Sequence, residues 1–269
     1  MNATAISLLA LAGLCAAFAG IYVLARRIDN YGIVDVAWSY AFGLLAMAYA
    51  FLGDGWLPRR AVVAVLVVAW SARLGTHLWR RVAAHHPEED GRYRRMRENW
   101  SRRFHATMFG FFQLQALSVF ILGLPFLLAM RHVDSAFHPL EIAGIVVFLA
   151  AIAGESAADA QLAAFKRDPA NRGAVCTRGL WGWSRHPNYF FEWLVWVAFA
   201  LIALPAPAGW LGLIAPATIL FLLLRVTGIP ATEEQAVRSK GEAYRRYQRS
   251  TSVFIPWPPR ARAIPASST

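Results

Sequence analysis

The chain has 269 residues, 57% of them hydrophobic, with a mean hydropathy of +0.40 and a formal net charge of +11 at neutral pH. The apolar residues fall in blocks of about 20, enough to cross roughly 30 Å of hydrocarbon, rather than at the short period of a soluble core. The basic excess then reads as membrane topology, with Lys and Arg gathering on the cytoplasmic side, and not as a nucleic-acid surface.

In chain order the apolar blocks are about Ile6–Leu24, Gly32–Leu52, Ala61–Leu78, Met108–Met130, Leu140–Ala160, Tyr189–Leu204 and Gly209–Val226. The first is followed by Arg26 and Arg27, whereas a signal peptide carries its charge before the apolar run, so it predicts a retained helix entering from outside. Most connections are short. Arg80–His105 is a long basic loop, Phe165–Pro187 is punctuated by Gly and Pro, and Glu233–Tyr247 is polar and predicts one cytoplasmic surface helix. With the N-terminus outside, the inside segments 26–31, 80–107, 165–187 and 227–269 hold 22 of the 27 Lys and Arg; only Arg59, Arg60 and Arg131 fall outside. That imbalance satisfies the positive-inside rule. Trp56 and Trp210 fall at the predicted outer boundaries. The expectation is one all-α integral membrane domain over 1–269, with about seven transmembrane helices, N-terminus outside and C-terminus cytoplasmic. Cys15 and Cys176 belong at different depths, which argues against a bridge. No CxxC or HExxH spacing occurs, so no metal site is expected.

Ionisable side chains at membrane depth cost several kcal/mol unless they face protein or water. Asp35, Arg73, His77, Glu155, Asp159 and Glu192 are therefore the first candidates. Glu155 and Asp159 lie one helical turn apart, and Leu162 and Lys166 continue their face. Asn188 and Glu192 share a face of the next span. The plainer readings are an Asp35 pair with Arg73 or Arg26, a snorkelling Arg73 and a structural His77.

The sharpest local signal is Arg185-His186-Pro187-Asn188-Tyr189. Pro187 suits the first turn of a helix, which places Arg185, His186 and Asn188 at a helix N-terminus, a natural anion site. Lys166, Arg167, Arg172 and Arg178 precede it around Gly173 and Gly179, a pattern that suits a phosphorylated ligand; a positive-inside loop explains the charges alone. No GxGxxG follows a strand, so a Rossmann site is excluded.

The stretch Gly179–Tyr189, containing Leu180, Trp181, Arg185, His186 and Asn188, together with Glu192, resembles the C-terminal domain of steroid 5α-reductases and their bacterial relatives of unassigned function. Asp159, Leu162 and Lys166 are similar to that family's preceding cofactor helix. Arg225, Gly228-Ile229-Pro230, Glu233-Glu234, Tyr244, Tyr247 and Ile255-Pro256 resemble its closing segment. The resemblance covers about 140–258, and Asp35, Trp38, Arg92 and Tyr93 fit the bacterial branch. It implies NADPH-dependent reduction of the C=C bond of a conjugated enone lipid such as a 3-oxo-Δ4-steroid, in the bacterial inner membrane, with the cofactor site facing the cytoplasm. Cofactor contacts are expected from Arg80, Arg92, Tyr93, Glu155, Asp159, Leu162, Lys166, Arg172, Leu180, Trp181, Arg185, His186, Asn188, Arg225 and Glu233. The family's substrate-holding Glu and Tyr are replaced; Asp35 and His77 fall near those positions. Hydride delivery to an enone places negative charge on its carbonyl oxygen, which needs a hydrogen-bond donor in a dry site. Asp35, with a raised pKa, and His77 are the expected polarising pair, with Glu192 orienting the nicotinamide. The alternative is an S-adenosylmethionine-dependent methyltransferase of the isoprenylcysteine or phospholipid type, which shares the Arg-His-Pro-x-Tyr turn and a Glu-Glu pair. A transporter would show repeats or broken spans in corresponding places, and neither is apparent.

Overall fold

The structure, a computed structural model, describes residues 2–85, 88–100, 102–226 and 228–259. Among these residues the protein is all helical, apart from an isolated parallel bridge between Ser184 and Ser252. Six segments are long and apolar enough to span a bilayer: Ala3–Arg27, Ile33–Leu52, Leu57–Ala84, Phe104–Met130, Pro139–Arg167 and Gly209–Lys240. The last joins an apolar part ending at Val226 to a polar helix that lies outside the span proper. A seventh apolar helix, Pro187–Ala203, has 17 residues. That is about 25 Å, at the short end of a crossing. The protein is an all-α integral membrane protein. Arg260 and Arg262, part of the inside charge tally, lie outside the described residues.

The helices are α1 (Ala3–Arg27), α2 (Ile33–Leu52), α3 (Leu57–His85), α4 (Gly91–Asn99), α5 (Phe104–Leu122), α6 (Leu124–Met130), α7 (Pro139–Arg167), α8 (Pro187–Ala203), α9 (Ile214–Phe221), α10 (Ile229–Lys240) and α11 (Glu242–Ser250). They form two compact units. The first holds Met1–Ile142 and Ala200–Ala215; the second holds Ala143–Phe199 and Pro216 onward.

In the first unit, α2 and α3 pack through small residues. Ser71 Oγ donates to Ser39 O at 2.6 Å and accepts from Gly43 N at 3.1 Å, and the Tyr40 ring lies where a Cβ on Gly75 would sit. Close backbone approach of this kind drives helix association where lipid is as apolar as the helices. Trp38 Nε1 donates to Ser118 Oγ at 2.8 Å, tying α2 to α5. Beyond the far end of α2, Arg59 and Glu141 are both fully buried. Arg59 pairs with Glu141 and donates to the carbonyls of His132 and Asp134 at 2.8 Å and of Ala136 at 2.5 Å. Arg59 is thus the hub of the 131–138 loop rather than a solvated outer charge.

Two sequence expectations change. The Arg80–His105 segment is not a plain loop: α3 runs on to His85, and α4 forms where the Asp90 side chain accepts from Arg92 N at 2.9 Å. The polar segment after the last span is not one helix. Gly241, at φ +54°, enters the left-handed region that glycine tolerates and separates α10 from α11.

In the second unit, α7 and α8 meet where Gly154 faces Phe191. A Cβ at 154 would lie 2.4 Å from that ring, so the contact needs glycine. Trp181 Nε1 donates to Ala158 O at 2.9 Å, and Leu180 N donates to Gln161 Oε1 at 2.9 Å, which lays the Gly179–Gly182 turn along α7. Ser184 Oγ donates to Phe254 O at 2.8 Å and Trp257 N to Trp183 O at 2.9 Å, which strap down the tail. Cys15 and Cys176 are free thiols.

Candidate functional site

In the first unit the polar group is built at the head of α2. Asp35 Oδ2 accepts from Arg92 at 2.7 Å, and Oδ1 accepts from the Tyr93 hydroxyl at 2.8 Å. Asp90 holds Arg92 from the other side, accepting from its Nε at 3.2 Å, and also pairs with Arg81. Burial alone would raise the Asp90 carboxyl, but hydrogen bonds from Arg92 outweigh it and hold it at about 2. Burial would lower Arg92, yet the charges of Asp35 and Asp90 raise it. Tyr93 is 2% exposed. Burial and then the Asp35 charge push its pKa well above the usual range, so the phenol stays protonated.

The structure therefore joins Asp35, Arg92 and Tyr93. Both oxygens of Asp35 accept, the arrangement of an ionised carboxylate. The donors of the cluster are Tyr93 and Arg92. His77 is exposed and makes no hydrogen bond among the described residues; Arg80 is exposed nearby on α3.

In the second unit, Pro187 opens α8 as the sequence predicts. Just before it, Arg185 Nε donates to Glu233 Oε1 at 2.6 Å. Its Nη1 donates to the carbonyls of Gln248 at 2.9 Å and Thr251 at 2.7 Å. His186 Nε2 lies 3.3 Å from the same Glu233 oxygen, the Tyr244 hydroxyl donates to that oxygen at 3.4 Å, and Gln248 Nε2 donates to Oε2 at 3.0 Å. Burial would raise Glu233, but the hydrogen bonds from His186 and Arg185 hold it at about 2. The His186 ring stacks on Tyr189 at 5.4 Å between centroids. The Tyr247 hydroxyl donates to Trp181 O and, at 3.2 Å, to Ser184 O. Arg185, His186 and Glu233, expected as cofactor contacts, thus bind the C-terminal helices to the head of α8. Ser184, Tyr244, Tyr247 and Gln248 complete this lock; the sequence reading assigned them no separate role, although Tyr244 and Tyr247 stood in the family pattern.

The remaining residues flank it. Glu155 is buried, and Asp159, Asn188 and Glu192 are half-buried. Glu155 and Glu192 follow the two residues of the Gly154–Phe191 contact, and Glu192 Oε1 accepts from Trp196 Nε1 at 3.2 Å. Arg225 is exposed in the π-helical turn Leu222–Val226. Leu162, Lys166 and Arg172 line one cavity of about 200 Å³, and Lys240 lines it too, a residue the sequence reading passed over as part of a surface helix. No carboxylate lines this cavity, so the residues present fit the phosphate end of a nucleotide. Among the described residues no cluster of His, Cys, Asp and Glu suits a metal ion.

The chain is 26% identical over 261 residues to the uncharacterized protein C594.04c of Schizosaccharomyces pombe, covering 84% of this chain and 73% of that one. No solved structure matches it. Residues 21–251 match the family described as protein of unknown function DUF1295, a span that takes in both the Asp35 cluster and the Arg185–Glu233 lock, and the chain belongs to that family.

Proposed function

We propose that this protein is an NADPH-dependent reductase of the bacterial inner membrane that saturates the C=C bond of a conjugated enone lipid, in the simplest case a 3-oxo-Δ4-steroid converted to its 5α-dihydro product. The observation that carries the reading is in the second unit. Cations on the Leu162–Lys166 face of α7 and on the following loop surround a cavity with no carboxylate in its lining, one turn from Asp159. The resemblance of 140–258 to steroid 5α-reductases points the same way.

Bound NADPH would supply a hydride. Lys166 and Arg172 would hold its phosphate end on the cytoplasmic side, and Asp159 and Asn188 offer hydrogen-bonding groups to its ribose and carboxamide. Glu192, steadied by Trp196, would orient the nicotinamide. The hydride would go to the β-carbon, leaving negative charge on the carbonyl oxygen, and a proton drawn from solvent would go to the α-carbon. A hydrogen-bond donor held on that oxygen in a dry site would be worth roughly 10²–10³ in kcat.

The methyltransferase alternative rests on the turn before α8 and on Glu233-Glu234. In this chain Glu233 is saturated by internal donors, and Glu234 accepts from Arg238 at 2.5 Å. The lock also occupies Arg185, His186 and Glu233 of the expected NADPH contacts, so it weighs on both readings alike, and the preference for the reductase rests on the cationic cavity. The experiment is a calorimetric titration of the purified protein with NADPH and with S-adenosylmethionine, followed by incubation with a 3-oxo-Δ4-steroid and NADPH. NADPH binding and a steroid product two mass units heavier are expected. Binding of S-adenosylmethionine without NADPH would replace this reading with the methyltransferase.

A further inference from the structure

The 200 Å³ cavity of the second unit is bounded by three separate elements. Lys166 comes from the last turn of α7, Arg172 from the end of the short turn Pro169–Asn171, and Lys240 from the last residue of α10. The loop between the first two is fixed. Asp168 Oδ1 accepts from Ala170 N at 2.9 Å, and Asn171 Nδ2 donates to Phe165 O at 3.0 Å, which folds Arg172 back over the end of α7. Gly173 follows at φ +80° with open space around its Cβ position, so the rim of the cavity stays clear.

The cations of the unit divide into paired and unpaired, and what sets these three apart is the cavity they share. Arg185, Arg238 and Arg249 each hold a carboxylate. Lys166, Arg172 and Lys240 have no carboxylate partner among the described residues. Burial, and then the charge of Lys166, push the Lys240 ammonium below its usual range. Gathering like charges around a shared cavity costs free energy that an anion repays. A phosphate monoester carries nearly two negative charges at neutral pH, against one on each phosphodiester of a dinucleotide's pyrophosphate. Three cations closing on one small cavity match the monoester.

We propose that Lys240, with Lys166 and Arg172, forms the pocket for the 2′-phosphate of the cofactor, and that Lys240 is the residue that makes the protein select NADPH over NADH. This inference rests on the dinucleotide reading above. Lys240 is a specificity determinant contributed by the C-terminal polar helix, so cofactor choice depends on α10 being seated by the Glu233 lock two turns back on the same helix.

The test is calorimetric titration of the full-length protein in detergent with NADPH and NADH, on the wild type and on Lys240→Ala and Lys240→Arg. Wild type should prefer NADPH by about 10²-fold, and Lys240→Ala should lose about tenfold of that preference with NADH affinity unchanged, the usual scale of one charged hydrogen bond. Lys240→Arg should keep the preference. Matched melting midpoints confirm that each variant is folded. If the wild type binds NADPH but Lys240→Ala keeps the full NADPH preference, the inference falls and the reductase reading stands. If the wild type binds neither dinucleotide, the reductase reading falls and takes this pocket assignment with it.

Discussion

Replacing Glu233 by Gln tests the lock that holds the C-terminal helices to the head of α8. The carboxyl sits at about 2 against an ordinary 4.5, because Arg185, His186 and Gln248 donate to it despite its burial. At about 1.4 kcal/mol for each tenfold change in proton affinity, that depression corresponds to about 3 kcal/mol of stability in the ionised form. A carboxyl whose folded pKa is depressed contributes fully above its unfolded value. The contribution is lost as pH falls from 4.5 towards 2. Gln keeps one acceptor but removes the charge and turns an amide N–H₂ towards existing donors. Unfolding in mild detergent, followed by tryptophan fluorescence, should show the variant about 3 kcal/mol less stable at pH 7, with a flatter acid limb. The two curves should converge near pH 2. A variant as stable as wild type at pH 7, or a constant gap between the curves down to pH 2, would refute the lock.

Arg59→Gln should destabilise by about 3–5 kcal/mol, since Glu141 would remain buried without its partner, and Arg59→Leu combined with Glu141→Leu should recover part of that loss in the same unfolding assay. Gly154→Ala should cost about 1–3 kcal/mol by pushing the Phe191 ring out of the α7–α8 contact, and Phe191→Leu should relieve it; additive losses in the double variant would contradict that packing. Tyr93→Phe should cost about 1–3 kcal/mol in the same unfolding assay, because Asp35 Oδ1 loses its hydroxyl donor, and unchanged stability would show that this bond does not hold α4 to α2.

The spans were legible because hydropathy in blocks of about 20 has few other solutions. Pro187 marked the start of α8 for a similarly local reason: a missing N–H costs nothing there. Helix α4 was not legible, because Arg92, Arg94, Arg95 and Arg97 read as a solvated charge run. Its helix depends on partners 57 or more residues away along the chain, Asp35 for Arg92 and Asp29 for Arg97. Gly241 was a readable stop at the end of α10, passed over because the flanking segment was polar throughout. Arg59 was counted as an outer charge because a tally of Lys and Arg records side of the membrane, not burial.

The same limit applies to the residues expected to contact a cofactor. Arg185 in its motif and Lys166 in its loop look alike in sequence, both being cations near a helix end. What separates them is the carboxylate that meets each one. Glu233, 48 residues on, takes Arg185 and turns it into a strut. Among the described residues no carboxylate meets Lys166, Arg172 or Lys240. In a basic membrane protein, the positive-inside rule explains why cations are on one side, but it does not require three of them to close on a shared cavity. That convergence, more than the number of charges, makes the end of α7 the strongest candidate for a ligand site in the second unit.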